Sequence, residues 1–339
     1  MALACLLPVG VAGAPWLAPL NQFIGARTCL VFVVMGLMAL PIPFGWIRRS
    51  IVRPWPALLA SLINMVGIPL IACVSAWSLS NYLGGGLIIA ATIPCTLASA
   101  AVWTRRAGGD DSVAILVTLI TNLTCVLVTP LWLVLLVGHR IEIQVGPLIE
   151  ELVVIVLMPI ALAQFLRLHK RIALWAEHNK QALAVTCQIG ILVMVFLGAI
   201  QMGVHLHTQA SLPESTTGAR APDHISALDI LWVTLLTAGI HLIAMAAGWF
   251  AAARTGIARP QQIGVAISGS QKTLMIGLKM AMDCGVSILP MVTYHVGQLL
   301  IDTLIADRWR HRAPQAQHHA GSQQSPPQQS PTSPPETRH

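Results

Sequence analysis

The chain has little charge. Only 10% of its 339 residues are Asp, Glu, Lys or Arg, against about 25% in an average soluble domain. So few charges cannot coat a globule of this size. With 55% hydrophobic residues and a mean hydropathy of +0.71, a soluble fold is excluded and the class is an all-α polytopic membrane protein. Catalytic signatures are also missing. There is no Gly-x-Ser-x-Gly, no His-Glu-x-x-His and no pair of carboxylates at membrane depth, which argues against an intramembrane enzyme and a bound cofactor. Basic residues are not interleaved with aromatics, so the net charge of +7 does not point to nucleic acid. No C-x-x-C occurs. The cysteines at 5, 29, 73, 95, 125, 187 and 284 lie in or beside apolar runs and read as small buried hydrophobes. The first apolar run lacks a basic start and carries Pro8, Pro15 and Pro19. It reads as a membrane helix rather than a signal peptide.

What is present is a series of apolar segments. At ~20 residues per crossing, ten are counted, near 2–20, 28–46, 55–77, 84–104, 112–137, 147–166, 181–203, 230–253, 261–283 and 286–306. They form one transmembrane domain over 1–312, with a polar external loop at 205–229. Residues 313–339 are mostly Pro, Gln, Ser and His and are expected to be a disordered cytoplasmic tail. Of the 20 Lys and Arg, 15 fall on one face of this arrangement, among them Arg48, Arg49, Arg105, Arg106, Arg167, Arg254 and Arg308. The positive-inside rule places both termini in the cytoplasm, in a plasma (inner) membrane.

The stretch 261–283 departs from an ordinary crossing. Its flanks are apolar, yet Ser268, Gly269, Ser270, Gln271, Lys272 and Thr273 stand in a row at its centre. A charge at bilayer depth costs ~2.5–3.5 kcal/mol on insertion scales unless it faces a polar interior. The segment therefore reads as a helix broken at its middle, with the break lining a cavity. The fourth segment has a comparable centre, Pro94-Cys95-Thr96-Leu97-Ala98-Ser99. The fourth and ninth segments hold the same place in two sets of five. Five is odd, so the halves would be inserted upside down, as a 5+5 inverted repeat with its site at the mid-membrane breaks.

At these residues the chain resembles the bile acid:sodium symporter family. The fourth segment's Pro94 to Ser99, followed by Thr104, Ala107, Gly108, Gly109 and Asp110, is similar to the family's broken helix and the turn after it. Gly269-Ser270-Gln271-Lys272-Thr273, and Leu289-Pro290-Met291-Val292-Thr293-Tyr294-His295 with Gln298, resemble a lysine-bearing branch linked to calcium handling. The resemblance implies panel and core modules, with crossed discontinuous helices 4 and 9 and sodium ions behind the crossing. Ser99, Thr118 and Gln271 match sodium-ligand positions, and Asn64, five residues before Pro69, stands where a glutamine would be. Ala100, Ala114, Ile267 and Lys272 depart from the pattern. Ile267 replaces a sodium-binding glutamate, so only a partial sodium-site remnant is left and no metal site is assigned.

The loss of a carboxylate and the gain of an ammonium point to Lys272 standing in for a bound sodium, since two cations a few ångströms apart repel strongly. The expected cradle is the carbonyls of the broken fourth helix with Ser99, Thr118 and Gln271. Lys272 also has a plainer reading, as a pin between helices. The candidate substrate or ion site comprises Lys272, Gln271, Thr273, Ser270, Ser99, Thr118, Asn64 and Pro94. His295, Gln298 and His241 are candidates for gating or relay. Thr121 and Asn122 read as helix–helix hydrogen bonders, and Lys279, Asp283, Glu150 and Glu151 as interfacial anchors. The function expected is secondary transport of small organic anions by alternating access, coupled to sodium or a proton. The alternative is a non-transporting membrane regulator of ion (calcium) homeostasis. The lipid bilayer and a small anion are the expected partners.

Overall fold

A computed structural model describes residues 24–42, 54–136, 144–210 and 225–311. The first apolar segment, most of the loop between the seventh and eighth segments, and the tail beyond 311 lie outside the described residues. Within them all regular structure is helical. In chain order the helices are α1 (Ile24–Ala39), α2 (Trp55–Ala76), α3 (Asn81–Thr92), α4 (Ser99–Arg106), α5 (Asp111–Leu136), α6 (Val145–Arg167), α7 (Lys170–His178), α8 (Lys180–Ala210), α9 (Ala227–Arg254), α10 (Arg259–Ser270), α11 (Leu274–Asp283) and α12 (Leu289–His311). Five of these, α2, α5, α6, α8 and α9, are long and apolar enough to cross a membrane.

The packing is inside-out relative to a soluble protein. Leu62, Val74, Leu127, Phe165 and Leu192 are exposed, while Asn64, His241, Gln271, Lys272, Gln298 and Asp302 are fully buried. Such a molecule is stable only where apolar surface faces lipid and polar groups satisfy one another inside. The chain is an all-α membrane protein.

Three local devices shape the interior. The first is proline. In α2 the residues Ile63–Gly67 form a π-turn just ahead of Pro69, and in α6 Val153–Leu157 form another ahead of Pro159. Proline has no N–H and its ring crowds the carbonyl four residues back, and widening the turn relieves that crowding. The second is the pair of interruptions. Ile93 is extended (φ −73°, ψ 162°) because the residue before a proline is disfavoured in the helical region, and α4 does not begin until Ser99. Gln271 and Thr273 are likewise extended, between α10 and α11. The third is close approach. A Cβ on Gly248 would lie 3.1 Å from the Ala266 Cα, and one on Gly264 would lie 2.9 Å from the Asp110 carbonyl. These glycines let α10 sink between α9 and α5.

One helix was not anticipated. Where the sequence reading placed a basic connection after the sixth segment, α7 carries Lys170 and Arg171 with exposed Leu174 and Trp175. Its nine residues are too short to cross a bilayer but long enough to lie along its surface.

Candidate functional site

The two interruptions meet. The Thr273 amide donates to the Pro94 carbonyl at 3.0 Å, joining the break after α3 to the break after α10. Backbone groups freed at such a point must find partners, and α5 supplies most of them for the first break. Its Thr118 hydroxyl donates to the Thr96 carbonyl (2.9 Å) and Asn122 Nδ2 to the Cys95 carbonyl (3.2 Å). Thr121 Oγ1 accepts from the Cys95 amide (3.2 Å), and Thr129 donates to the Thr92 carbonyl (2.7 Å). Their 3-and-4 spacing puts these side chains on one helix face. Thr96 Oγ1 accepts from the Ala100 amide (3.1 Å) and so caps the start of α4.

The second break is held from α2 and α12. Asn64 Nδ2 lies within reach of the carbonyls of Gln271 (2.7 Å), Gly269 (3.3 Å) and Ser268 (3.4 Å). Gln298 clamps Lys272 on both sides. Its Oε1 accepts from the Lys272 amide and its Nε2 donates to the Lys272 carbonyl, each at 2.9 Å. The second Nε2 hydrogen goes to His295 Nδ1 (2.9 Å). The Tyr294 hydroxyl donates to the Ser270 carbonyl (2.9 Å).

Lys272 is fully buried. Its Nζ is 2.7 Å from the Asn64 carbonyl, 2.8 Å from the Ile93 carbonyl and 3.1 Å from Asn64 Oδ1. Three acceptors around one nitrogen require three N–H bonds, which only the ammonium has. Both carbonyls are free for a stated reason. In the π-turn the Ile68 amide bonds to Ile63, and the next residue, Pro69, has no N–H to give, so the Asn64 oxygen has no helical donor. The Ile93 oxygen is freed by the extended turn into Pro94. Pro69 in α2 and Pro94 in the break after α3 thus prepare the two carbonyls that hold the ammonium. Pro69 also leaves the Met65 carbonyl without its helical donor, and Trp132 Nε1 fills it at 2.7 Å.

A second network runs on the other side of the same strand-like segment. Gln271 Oε1 accepts from Thr96 Oγ1 (2.8 Å) and Ser99 Oγ (2.9 Å), and Gln271 Nε2 donates to Asp302 Oδ2. Asp302 Oδ1 is 3.1 Å from His241 Nε2, and His241 Nδ1 is 3.1 Å from the Ser270 carbonyl. Both His241 and Asp302 are fully buried. Ser99 is the least buried member of the network and adjoins exposed Ala98.

This geometry corrects the expected cradle of Lys272. Ser99, Thr118 and Gln271 do not touch its ammonium. The reason is the extended backbone, in which successive side chains point to opposite sides. Gln271 turns toward Thr96, Ser99 and Asp302, whereas Lys272 turns toward Asn64 and Ile93. Asn64 and Pro94 belong to the ammonium's surroundings, Asn64 directly and Pro94 through the carbonyl before it. The Ser270 hydroxyl bonds back to Ile267 (3.0 Å), and it is the Ser270 carbonyl that takes part. Thr273 contributes its amide. Lys279 is corrected too. It does not snorkel but is buried, in contact with Glu151 and Asp283.

Sequence reading missed Asp302, Tyr294, Thr96 and Trp132. Asp302 had a usable signal. It is the one carboxylate of the tenth segment, four residues after Gln298 and seven after His295, the spacing of one helix face. Thr96 had only its place after a proline, and Trp132 none.

A helical membrane protein with two interrupted helices meeting at a buried ammonium belongs to the architecture of secondary transporters. The profile of the SBF-like CPA transporter family matches residues 1–311, and the chain belongs to that family. It is 24% identical over 311 residues to the probable sodium/metabolite cotransporter BASS4, chloroplastic, of Arabidopsis thaliana, covering 87% of this chain and 68% of that protein. It is 25% identical over 273 residues to the putative symporter YfeH of Escherichia coli, covering 75% of each chain. It is 20% identical over 245 residues to sodium/bile acid cotransporter 7 of Danio rerio, covering 70% of this chain and 68% of that one. Of the rice BASS4 proteins, matched at 26% identity over 249 residues, the chain spans 55% of the length.

Proposed function

We propose that the protein is a secondary transporter of small organic anions, working by alternating access, with Lys272 as a resident cation in place of sodium. The observation that carries this reading is the carbonyl cage around the Lys272 ammonium. Oxygens freed by broken helices are what a sodium ion would use, and here a tethered cation uses them. The sodium-site remnant supports the same conclusion, because Gln271 Oε1 is spent on two hydroxyls and the Thr118 hydroxyl on a backbone carbonyl. The anion is placed at the more open edge near Ser99 and Gln271, where α4 begins and its positive dipole end faces the break. In this reading ten crossings form two inverted sets of five, and the bias of basic residues puts both termini on the cytoplasmic side.

The coupling ion we assign is a proton, held by His241 and Asp302. The Ser270 carbonyl can only accept, so His241 Nδ1 carries a hydrogen. The contact between Nε2 and Asp302 Oδ1 then needs one more proton, on either atom. Counted together the pair is neutral, and beside Lys272 the site has a net charge of plus one. Loss of that proton leaves an Asp302 carboxylate that cancels Lys272. Proton binding and anion binding therefore favour each other, as in symport.

The test is uptake of a panel of radiolabelled organic anions by reconstituted vesicles. An inward proton gradient should drive uptake, and replacing sodium by potassium should leave it unchanged. A strict sodium requirement would overturn the resident-cation reading. A folded protein that moves no solute under any gradient would favour the regulator of ion homeostasis instead.

A further inference from the structure

A second group of charges lies away from the Lys272 site and has no part in the reading above. It gathers at the end of α11. Lys279 is only 2% exposed and contacts Glu151 of α6 as well as Asp283 one turn on at 2.6 Å. Arg27, in the first turn of α1 and 8% exposed, donates from Nη1 to Gln201 Oε1 of α8 at 2.8 Å and lies 3.8 Å from Asp283. Gln201 Nε2 donates to the Met282 carbonyl at 2.8 Å. That carbonyl is among the last four of α11, which have no partner within the helix. Arg27 Nε is buried without a hydrogen-bond partner. One helix end is thus tied to three others by charge and amide contacts in addition to its apolar packing.

The ties are unusual in where they run. α1 packs against α6 and α8, whereas α11 packs against α8, α3 and α12 and less extensively against α1. The other end of α11 is the break itself. Leu274 follows Lys272 and Thr273 directly. The helix is ten residues long, so it spans about 15 Å from the break to the charge cluster. It is seated closely along the way. A Cβ on Gly277 would lie 2.2 Å from Met291 Sδ and 2.8 Å from the side chain of Ile93, the residue whose carbonyl holds the ammonium. α11 therefore has little room to bend, and a displacement at one end is passed to the other.

We propose that Arg27, Glu151, Gln201, Lys279 and Asp283 form a latch. The latch closes one end of the transport path between α11 and the α1–α6–α8 group, and α11 links it to the Lys272 site. The inference rests on the alternating-access reading. Its physical logic is that ion pairs and amide bonds can be exchanged for water when two groups of helices part, whereas buried apolar packing is lost outright. Each partner here is polar, so opening exposes groups that water can solvate. The cluster is also balanced, with two cations against two carboxylates. Removing one charged member leaves the cluster with an unbalanced charge, which favours the opened, hydrated state.

Cys284 is a native reporter. It is free, half-buried and adjacent to Asp283. The experiment is maleimide labelling of the whole purified protein, with the rate at each cysteine read by peptide mass spectrometry. Cys125, fully buried away from the cluster, is the control. Glu151→Gln and Lys279→Gln should each raise the Cys284 rate about tenfold with Cys125 unchanged. The exchanged double variant Glu151→Lys/Lys279→Glu should return toward the wild-type rate. Arg27→Gln leaves Lys279 paired and should give a smaller rise, which keeps the test open if the stronger variants fail to fold. An unchanged Cys284 rate in folded single variants would overturn the latch. A parallel rise at Cys125 would overturn it too, since the cluster would then be holding the fold. Labelling needs no substrate, so a latch that opens in a protein moving no solute would separate failure of the transport reading from failure of this one.

Discussion

Asn64 and Lys272 stand 208 residues apart in the chain and meet through two hydrogen bonds to one nitrogen, 2.7 Å from the Asn64 carbonyl and 3.1 Å from its side-chain oxygen. Asn64 also reaches back with Nδ2 to the carbonyls around Lys272, closest to Gln271 at 2.7 Å. One asparagine therefore serves the ammonium with its two oxygens and the broken backbone with its amide. Four features make this possible: a π-turn, a proline that cannot donate, an interrupted helix and an extended dipeptide.

Removing the ammonium should expose its ion-like role. Lys272→Ala leaves the two carbonyls and Asn64 Oδ1 without their donor, at a cost of about 1–3 kcal/mol for each buried acceptor if the site stays dry. The emptied cage should then accept a small cation. In a thermal-shift assay, sodium should stabilise Lys272→Ala but not the wild-type protein, with potassium as the control. Selective stabilisation of the wild type by sodium would contradict the substitution.

Trp132→Phe isolates the carbonyl that Pro69 frees at Met65. The variant keeps an aromatic ring, though a smaller one, and loses the Nε1 hydrogen that reaches Met65 at 2.7 Å. A buried acceptor without a partner costs about 1–3 kcal/mol. Chemical denaturation in mild detergent should show a loss of that size. A neutral result would mean that water or another donor reaches the carbonyl.

Gln298 holds the extended dipeptide in place, and its loss should be more severe. Gln298→Ala orphans the Lys272 amide and carbonyl together, about 2–5 kcal/mol. Gln298→Glu keeps the acceptor and loses the donor, so it should fall between wild type and alanine. The order of thermal midpoints, wild type above glutamate above alanine, is the expected readout.

Asp302→Asn tests proton coupling. It preserves shape and the contact region of Gln271 and His241, but it cannot share an acidic proton with His241. Uptake driven by a proton gradient should be lost, while exchange of labelled for unlabelled anion across the membrane should survive. If proton-driven uptake persists in Asp302→Asn, the coupling proton is bound elsewhere.

How much of this was legible depended on whether a feature is local. The membrane class follows from counting charges. The interruption at Pro94 follows from proline's effect on the residue before it, and the polar run from Ser268 to Thr273 declares itself against its apolar flanks. Asp302 is an intermediate case. Its spacing from Gln298 put it on the right face, yet nothing in α12 alone says that this face looks onto Gln271 and His241. The partners of Lys272 were legible only in part: a carbonyl at the fourth segment's break was expected and is that of Ile93, whereas the side chains expected beside it are not there. Ser99, Thr118 and Gln271 carry suitable oxygens at suitable places in the sequence, and the fold gives them to one another instead.

By itself, then, the sequence determined that this protein lives in a bilayer, where its helices are interrupted, and that an amine is kept deep among apolar residues. These are consequences of composition and of bonds between near neighbours. The tertiary structure decided which oxygens receive the amine, and which carboxylate, Asp302, joins the site. An extended backbone sends Gln271 and Lys272 to opposite sides, and only the packing of α2, α3, α9 and α12 around them settles what each side chain meets.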